Sequence, residues 1–412
     1  NSDFCETELG ALPAEWNVAM IGDVLEPRGE SMQPSSIGKT RYVGLEHIGS
    51  GNSHLTRWGI ESEVKSTKNK FYRDDLLYGK LRPYLDKAVL AEWDGVCATD
   101  ILVFAANQER ANPEFMVSLL HTTRFLEHAI STTTGVNHPR TSWHSIRTFR
   151  FGLPPLPEQR AIAHVLSTIQ RAIETQDNLI AAARELKKSL MRQLFTQGLD
   201  ANGAVKETEI GLMPEHWELV KLENVFESRL GKMLSGASRK GISPRLYVRN
   251  ANVQWGKVDL TDIAQMDFHE DERKEFRLKK GDILVCEGGE IGRTAIWHDE
   301  IAECYFQKAI HRLRPVNENY DREFFLYHMM HAFLLAESYG MVGTKTTIAH
   351  LPGVKLKALK IPMPPLSEQR EIARILATAD KKIENEEKRK AALEALFKTM
   401  LQNLMTGKIR VT

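Results

Sequence analysis

The chain has 412 residues, a formal net charge of +1 and 42% apolar residues. This balance excludes a bulk polycation, and the length predicts two or three domains with real cores. No apolar run reaches the roughly 20 residues that span a bilayer, so we expect no membrane-spanning helix. The N-terminus has no signal pattern, and the four cysteines have neither CxxC nor zinc-type spacing. We therefore expect a cytoplasmic protein with reduced thiols and no metal site.

Residues 1–150 form the first predicted domain. Short strand-like runs, such as Ala88 to Leu90 and Ile101 to Phe104, alternate with Gly, Pro, Asn and Asp, which indicates a compact α+β domain. Basic side chains suit phosphates, whereas amides and planar cations suit base edges. Such residues occur in three groups, namely Lys39 and Arg41; Lys80, Arg82 and Lys87; and Asn137, His138 and Arg140.

Residues 151–200 are predicted to contain one long helix, at about 157–197. Pro154 and Pro155 favour extended backbone just before it. Beyond them, the seam positions recur at alternating steps of four and three, which is the spacing of a coiled coil. The seam residues are Ile162, Leu166, Ile169, Ile173, Gln176, Ile180, Ala183, Lys187, Leu190 and Leu194.

Residues 201–360 form the second predicted domain, again of α+β type. Gly281 to Val285 indicates a strand, and Phe324 to Ala336 indicates a buried core helix because it is too short to span a membrane. The turns near Gly135 and Gly343 occupy the same place in the two domains. The candidate contact residues of this second domain are Arg239, Lys240, Arg245, Arg249, Asn250, Arg293, Lys345 and Thr346.

Residues 361–412 repeat the long helix, at about 367–407. Its seam residues are Ile372, Leu376, Ala379, Ile383, Glu386, Lys390, Leu393, Phe397, Met400 and Leu404. Two such seams in one chain can bury each other. The spacing allows a parallel or an antiparallel pair, and a pseudo-two-fold arrangement would make it antiparallel. Helices of about 40 residues would then hold the two domains about 60 Å apart.

The chain contains an internal repeat of one sequence unit. Pro13 and Trp16 return as Pro214 and Trp217, and the run Pro-Pro-Leu-x-Glu-Gln-Arg occurs at 154–160 and 364–370. The matches keep their order, which indicates duplicated domains. The ends of the two units match well and their middles poorly, as expected for a shared scaffold with divergent binding surfaces or for loops that drift.

This doubled set of motifs, together with the run from Leu77 to Leu85, resembles the specificity subunit of type I restriction–modification enzymes along nearly the whole chain. The resemblance implies two target-recognition domains, each reading one half of a bipartite site in double-stranded DNA, separated by two long helices in an antiparallel coiled coil. It further implies that two methyltransferase subunits and the restriction/translocase subunits bind this chain. The gap between the half-sites would be set by the helices.

Catalytic motifs are absent from the sequence. Both Pro-Pro pairs lack the preceding Asn or Asp and the following aromatic residue of an adenine methyltransferase. No phosphate-binding loop and no Ser/His/Asp or Cys/His arrangement stands out. We therefore predict no catalytic residue, no cofactor and no metal. Two other interpretations remain open, a duplicated protein–protein scaffold without DNA contact and an enzyme with an unrecognised site.

Overall fold

A computed structural model of the chain describes residues 4–236, 238, 240–336, 338–339 and 350–411. The chain forms two compact units. Unit 1 contains Asn1–Leu179 and Glu386–Thr412, and unit 2 contains Ile180–Asn385. Each unit therefore combines one globular part with segments of two long helices, α4 (Leu156–Gln197) and α8 (Leu366–Met405).

Unit 1 mixes short strands and short helices. Its four-stranded antiparallel sheet has the order β10-β9-β12-β4, and its five-stranded mixed sheet has the order β5-β8-β11-β6-β7. The elements are β1 Phe4–Thr7, β2 Gly10–Pro13, β3 Asn17–Met20, β4 Leu25–Pro27, β5 Ser31–Met32, β6 Arg41–Val43, β7 Gly59–Ile60, β8 Lys68–Phe71, β9 Leu76–Gly79, β10 Ala88–Leu90, β11 Gly95–Cys97, β12 Ile101–Ala106, α1 Pro113–Leu120, α2 Thr123–Ser131, α3 Trp143–Ile146 and β13 Arg150–Leu153.

The two faces of strand β9 supply two cores in unit 1. Leu76 and Tyr78 pack with helices α1 and α2 in a cluster that extends to α4 and to Leu404 of α8. Leu77 lies in a second cluster with Val43 and Phe71 of the five-stranded sheet. Successive side chains of a strand point to opposite faces, so β9 joins both layers.

Unit 2 repeats this plan. Its four-stranded sheet has the order β17-β25-β22-β23, which corresponds strand for strand to β4-β12-β9-β10 of unit 1. The elements are β14 Val205–Thr208, β15 Gly211–Pro214, β16 Glu218–Lys221, β17 Phe226–Leu230, β18 Pro244–Val248, β19 Val253–Gln254, β20 Lys257–Val258, β21 Ala264–Asp267, α5 Glu270–Phe276, β22 Ile283–Cys286, β23 Thr294–Ile296, β24 Tyr305–Phe306, β25 Ile310–Pro315, α6 Arg322–Leu334, α7 Gly353–Ala358 and β26 Lys360–Met363.

The predicted fold class is confirmed by this arrangement. Each unit mixes helix and sheet, and the repeat seen in the sequence reappears as the same sheet order. Strand β22 alternates like β9, with Ile283 and Val285 in one core and Leu284 and Cys286 in the other. The segment from Phe324 to Ala336 contains most of the buried helix α6, as the sequence predicted.

The repeated Glu-Gln-Arg motif has a structural role at the start of each long helix. Gln159 is fully buried, its amide donates to Pro154 O at 2.8 Å, and its Oε1 accepts from Asn112 N at 2.8 Å. Gln369 donates to Pro364 O at 2.8 Å and accepts from Asp321 N at 2.7 Å. Because buried polar groups must be paired, each glutamine links the start of its long helix to the N-cap residue of a core helix, which is α1 in unit 1 and α6 in unit 2.

The long helices pair through the predicted seam. Every seam position of α4, which has 42 residues, and of α8, which has 40, is buried or half-buried. None of the helices in the described part of the chain combines the length and the apolarity that a membrane crossing needs.

Within each unit the two helical segments are antiparallel. In unit 1, Arg410 reaches Glu158 at 3.0 Å, and Lys390 reaches Asp177 at 2.6 Å. Residue numbers therefore rise along one segment as they fall along the other. Unit 2 shows the same order, since the Leu199 amide lies 3.5 Å from Glu368 and Lys187 lies 2.5 Å from Asp380.

Polar residues interrupt the seam and find partners. The Gln176 amide donates to Glu386 Oε2 at 2.6 Å in unit 1, and both residues occupy seam positions. In unit 2, Lys187 pairs with Asp380, which also accepts from the Tyr327 hydroxyl at 2.8 Å. A buried polar pair of this kind selects one register of a coiled coil, because a shifted register would leave its members unpaired.

We predict that Glu386→Leu lowers the free energy of unfolding by about 1–3 kcal/mol, because the Gln176 amide loses its carboxylate acceptor and keeps only the longer bond, of 3.3 Å, to the Glu386 carbonyl. The double variant Gln176→Leu/Glu386→Leu should recover most of this loss, since apolar groups then fill the seam. Denaturant unfolding measures both. The exposed Gln402→Leu variant of the same unit serves as control and should stay within about 0.5 kcal/mol of the parent. A double variant as unstable as Glu386→Leu would contradict this account.

Candidate nucleic-acid interface

Two loops of unit 1 meet at one surface. The first is the turn between β9 and β10, and the second precedes α3. Arg82 N donates to Pro139 O at 2.8 Å, Thr141 N donates to Lys80 O at 3.0 Å, and Leu81 bridges to Arg140. The structure therefore brings together two of the groups that the sequence placed far apart. We call residues 80–87 the hairpin turn and residues 133–140 the return loop.

The hairpin turn is strained and exposed. Arg82 and Asp86 have left-handed backbone conformations, with φ of 52° and 48°. Such conformations are rare for residues other than glycine and are typical of functional loops that the surrounding structure holds in place. Tyr84 at the tip of the turn is 56% exposed, whereas Tyr78 is buried against Phe125. Of the two tyrosines near Lys80, only Tyr84 can stack on a base.

A buried histidine holds the end of this turn. His121 Nδ1 lies 2.7 Å from Asp86 Oδ1, and its Nε2 lies 2.9 Å from Ala88 O. The Asp86 carbonyl also accepts from Gly51 N at 2.8 Å. The left-handed conformation of Asp86 is therefore fixed from two sides, by buried His121 and by the loop at Gly51.

Unit 2 has the equivalent of the hairpin turn, and the two residues His350 and Leu351 contact it as the end of the return loop does in unit 1. Residues 340–349, including Gly343, lie outside the described residues. Leu351 N donates to Glu287 O at 2.7 Å, and Gly288 bridges to His350, as Thr141 with Lys80 and Leu81 with Arg140 do in unit 1. Gly289 takes the left-handed conformation there. By these contacts Glu287 stands where unit 1 has Lys80 and Gly289 where it has Arg82, and the turn at 287–292 also carries Glu290. The two surfaces thus share a backbone plan and differ in charge.

The candidate residues of unit 1 lie in different surroundings. Lys39, Asn137 and His138 are exposed. Arg140 forms an ion pair with Asp100 at 3.0 Å. Lys87 turns inward and donates to Leu45 O, and burial lowers its pKa, with nearby Arg57 adding to the effect. Lys80 and Arg82 lie on the hairpin turn, and Arg41 packs on two tryptophans.

The candidate residues of unit 2 are mostly paired. Arg245 lies 3.1 Å from Glu303, and Arg249 forms an ion pair with Asp262. The amide of Asn250 donates to Gly288 O at 2.8 Å, and Arg293 donates to Asn250 O at 2.8 Å, so this pair supports the 287–292 turn. Lys240 is exposed. Arg239, Lys345 and Thr346 lie outside the described residues.

Unit 2 also has a basic cleft that the sequence analysis did not predict. This cleft has a volume of about 780 Å³. Lys232 is buried in it beside Glu272, whereas Lys308 and Lys357 are exposed and have no ion pair with any described residue. Separate elements supply these lysines, so no motif joins them in the sequence. Their arrangement could accept a phosphate group.

Groups that might perform chemistry are held in unreactive states. Burial raises the pKa of Cys97 to about 12 and that of Cys286 to about 11. Burial lowers the pKa of His328 to about 3 and that of His331 to about 4, so both rings are neutral at pH 7. In the described ranges, no group of three or more His, Cys, Asp or Glu residues could hold a metal ion.

Comparison with known proteins finds the same duplication. The model of the type I restriction modification DNA specificity domain matches residues 13–183 and again 214–395. The chain is 27% identical to the type I restriction enzyme MjaVIII specificity subunit of Methanocaldococcus jannaschii, over 99% of this chain and 96% of that protein.

Two solved structures share the fold. One is described as the basis of complex assembly and conformational transition of the type I R-M system. The match has a TM-score of 0.62 and 19% sequence identity, and it covers 97% of this chain and 99% of the chain in that structure. The other is the type I restriction–modification S subunit from M. genitalium, with a TM-score of 0.58 and 16% identity over 95% of this chain and 96% of its own.

The strained backbone at Arg82 leads to a prediction about the stability of glycine and alanine variants. Glycine relieves a left-handed conformation that costs other residues about 1 kcal/mol or more. Arg82→Gly should therefore be more stable than Arg82→Ala in thermal unfolding, by about 0.5–1 kcal/mol. At Lys398, on the exposed face of α8, the order should reverse, because glycine weakens a helix by about 1 kcal/mol relative to alanine. The same order at both positions would show that the turn is not strained.

Proposed function

The chain belongs to the family of type I restriction–modification DNA specificity proteins, and from this premise we propose that it reads a bipartite site in duplex DNA. One globular domain would recognise each half-site. Family membership confirms the predicted specificity subunit, which is a non-catalytic component of such systems. The observation that carries the proposal is the duplication: the specificity domain occurs twice, and each unit presents an equivalent hairpin turn.

The loop surface has the chemistry that a half-site reader needs. In unit 1, Lys80 and Arg82 supply cations, and exposed Asn137 and His138 supply groups that can reach base edges. In unit 2, the cleft with Lys308 and Lys357 supplies cations beside a turn that is itself acidic. These differences support two half-sites of different sequence.

We also propose that the chain assembles with two methyltransferase subunits and with the restriction/translocase subunits, in the cytoplasm. Membership of the type I restriction–modification DNA specificity family supports this assembly. A duplicated scaffold that binds only proteins is the competing interpretation. The effect of lysine substitutions in this chain on the binding of duplex DNA separates the two.

The first test measures how the full complex binds a duplex that carries its modification site, at a series of salt concentrations. Affinity should fall steeply with salt, and Lys80→Gln or Lys308→Gln should each reduce the slope of log K against log salt by about 0.9. Fluorescence anisotropy measures this slope. Lys398→Gln, on the exposed face of α8, should leave the slope unchanged. If the full complex binds duplex DNA with no salt dependence, or not at all, the DNA-reading proposal is wrong.

The second test lengthens the helices. Seven residues inserted after Leu179 and seven after Asn385 keep the seam spacing and lie where the two compact units divide. Each helix then grows by about 10.5 Å, so the preferred gap between half-sites should grow by about 3 base pairs. Mapping of modified adenines reports the gap. Seven residues inserted between Asn202 and Gly203, outside the helices, should leave it unchanged. An unchanged gap after the helix insertions would exclude the helices as the spacer.

A further inference from the structure

Arg41 is held by two aromatic rings. It begins strand β6, opposite Ile60 of the edge strand β7, and its side chain is exposed. Its guanidinium carbon lies 4.7 Å from the ring centroid of Trp58 and 4.5 Å from that of Trp93. The two rings are 4.9 Å apart at an interplanar angle of 62°. The guanidinium therefore packs in the corner between two tryptophans.

The donors of Arg41 are free, which distinguishes it from three other candidate arginines. Arg140, Arg245 and Arg249 form ion pairs with Asp100, Glu303 and Asp262. Arg41 has no hydrogen bond or ion pair to any side chain in the described part of the chain, apart from its contacts with the two rings. A cation on the face of a tryptophan is attracted by the ring, so the contact orients the group without using its N–H donors.

This arrangement suits a planar pair of acceptors such as the edge of a base. A planar guanidinium that is already oriented loses little conformational freedom when it binds, and it offers parallel donors to one planar acceptor pair. In the major groove, guanine presents O6 and N7 as such a pair, and arginine with guanine is the commonest specific contact. A phosphate also accepts two parallel N–H donors, so a preference for one base, rather than binding itself, is the property that the test below measures.

We propose that Arg41 is a specificity-determining residue of the first domain and that its guanidinium donates to O6 and N7 of a guanine in the DNA site. Trp58 and Trp93 act as positioning residues that fix the plane of the guanidinium. This inference rests on the proposed DNA-reading function, and it adds the base that is read and the residue that reads it.

The test selects bound duplexes from a randomised pool, using the full complex with the wild-type chain, with Arg41→Lys and with Arg41→Gln. The wild type should select a guanine at one position of one half-site by about tenfold or more over other bases. Arg41→Lys keeps the charge but loses the planar pair of N–H donors. It should therefore lose the guanine preference and keep the consensus of the other half-site. The unaffected half-site also shows that the variant is folded.

A chemical probe then identifies the acceptor. Replacing that guanine by 7-deazaguanine removes N7, and it should weaken binding of the wild type by about tenfold while leaving Arg41→Lys unchanged. Trp58→Leu, which removes an exposed ring, should reduce the guanine preference without moving it. Arg73→Lys, at an exposed arginine without ring contacts, is the matched control and should keep the wild-type consensus.

The outcomes separate the two proposals. If the wild type selects no consensus at all, the DNA-reading function itself is wrong. A wild-type consensus that Arg41→Lys reproduces in full would overturn the role of Arg41 alone. Equal weakening of every duplex by Arg41→Gln, with a smaller salt slope and an unchanged consensus, would identify a phosphate contact and would also overturn it.

Discussion

The constraint on which this structure depends is that each long helix has an apolar seam that must be covered. A lone helix with such a seam would expose a stripe of apolar side chains to water. Within each unit, segments of α4 and α8 cover each other, and the ends of their seams enter the globular cores, as Leu404 does in unit 1. The polar positions Gln176 and Lys187 have partners in only one alignment. Burial therefore stabilises the pair, whereas the polar contacts select its register.

The same logic explains why the scaffold is repeated in sequence and the loops are not. Gln159 and Gln369 are buried, and each satisfies a helix entry and a helix cap at once, so neither can be exchanged without leaving backbone groups unpaired. The hairpin turns meet a weaker constraint. Their backbones are fixed by bonds such as that from Leu351 N to Glu287 O, while the side chains at their tips, such as Tyr84 and Glu290, are exposed. One backbone plan can therefore carry a basic turn in unit 1 and an acidic one in unit 2.

Much of this fold could be predicted from the sequence because period and repeat are local signals. All seam positions named from the spacing are buried or half-buried, and Trp16 and Trp217 lie in the cores. The candidate site was harder to predict, because the state of a basic side chain depends on residues distant in sequence. Arg140 meets Asp100 and Arg245 meets Glu303, and only the folded chain shows these pairs. The basic cleft combines Lys232 with Lys357, which no spacing rule connects.

A surface arginine can therefore have three different roles that its sequence context does not distinguish. Arg249 is held by a carboxylate and is half-buried, so its charge is largely neutralised. Arg82 sits on a strained turn with an exposed side chain, whose direction no ring or carboxylate in the described part of the chain fixes. Arg41 is oriented by aromatic rings that leave its donors free. Reading a base requires a fixed direction and unused donors together, and of these three residues Arg41 alone has both.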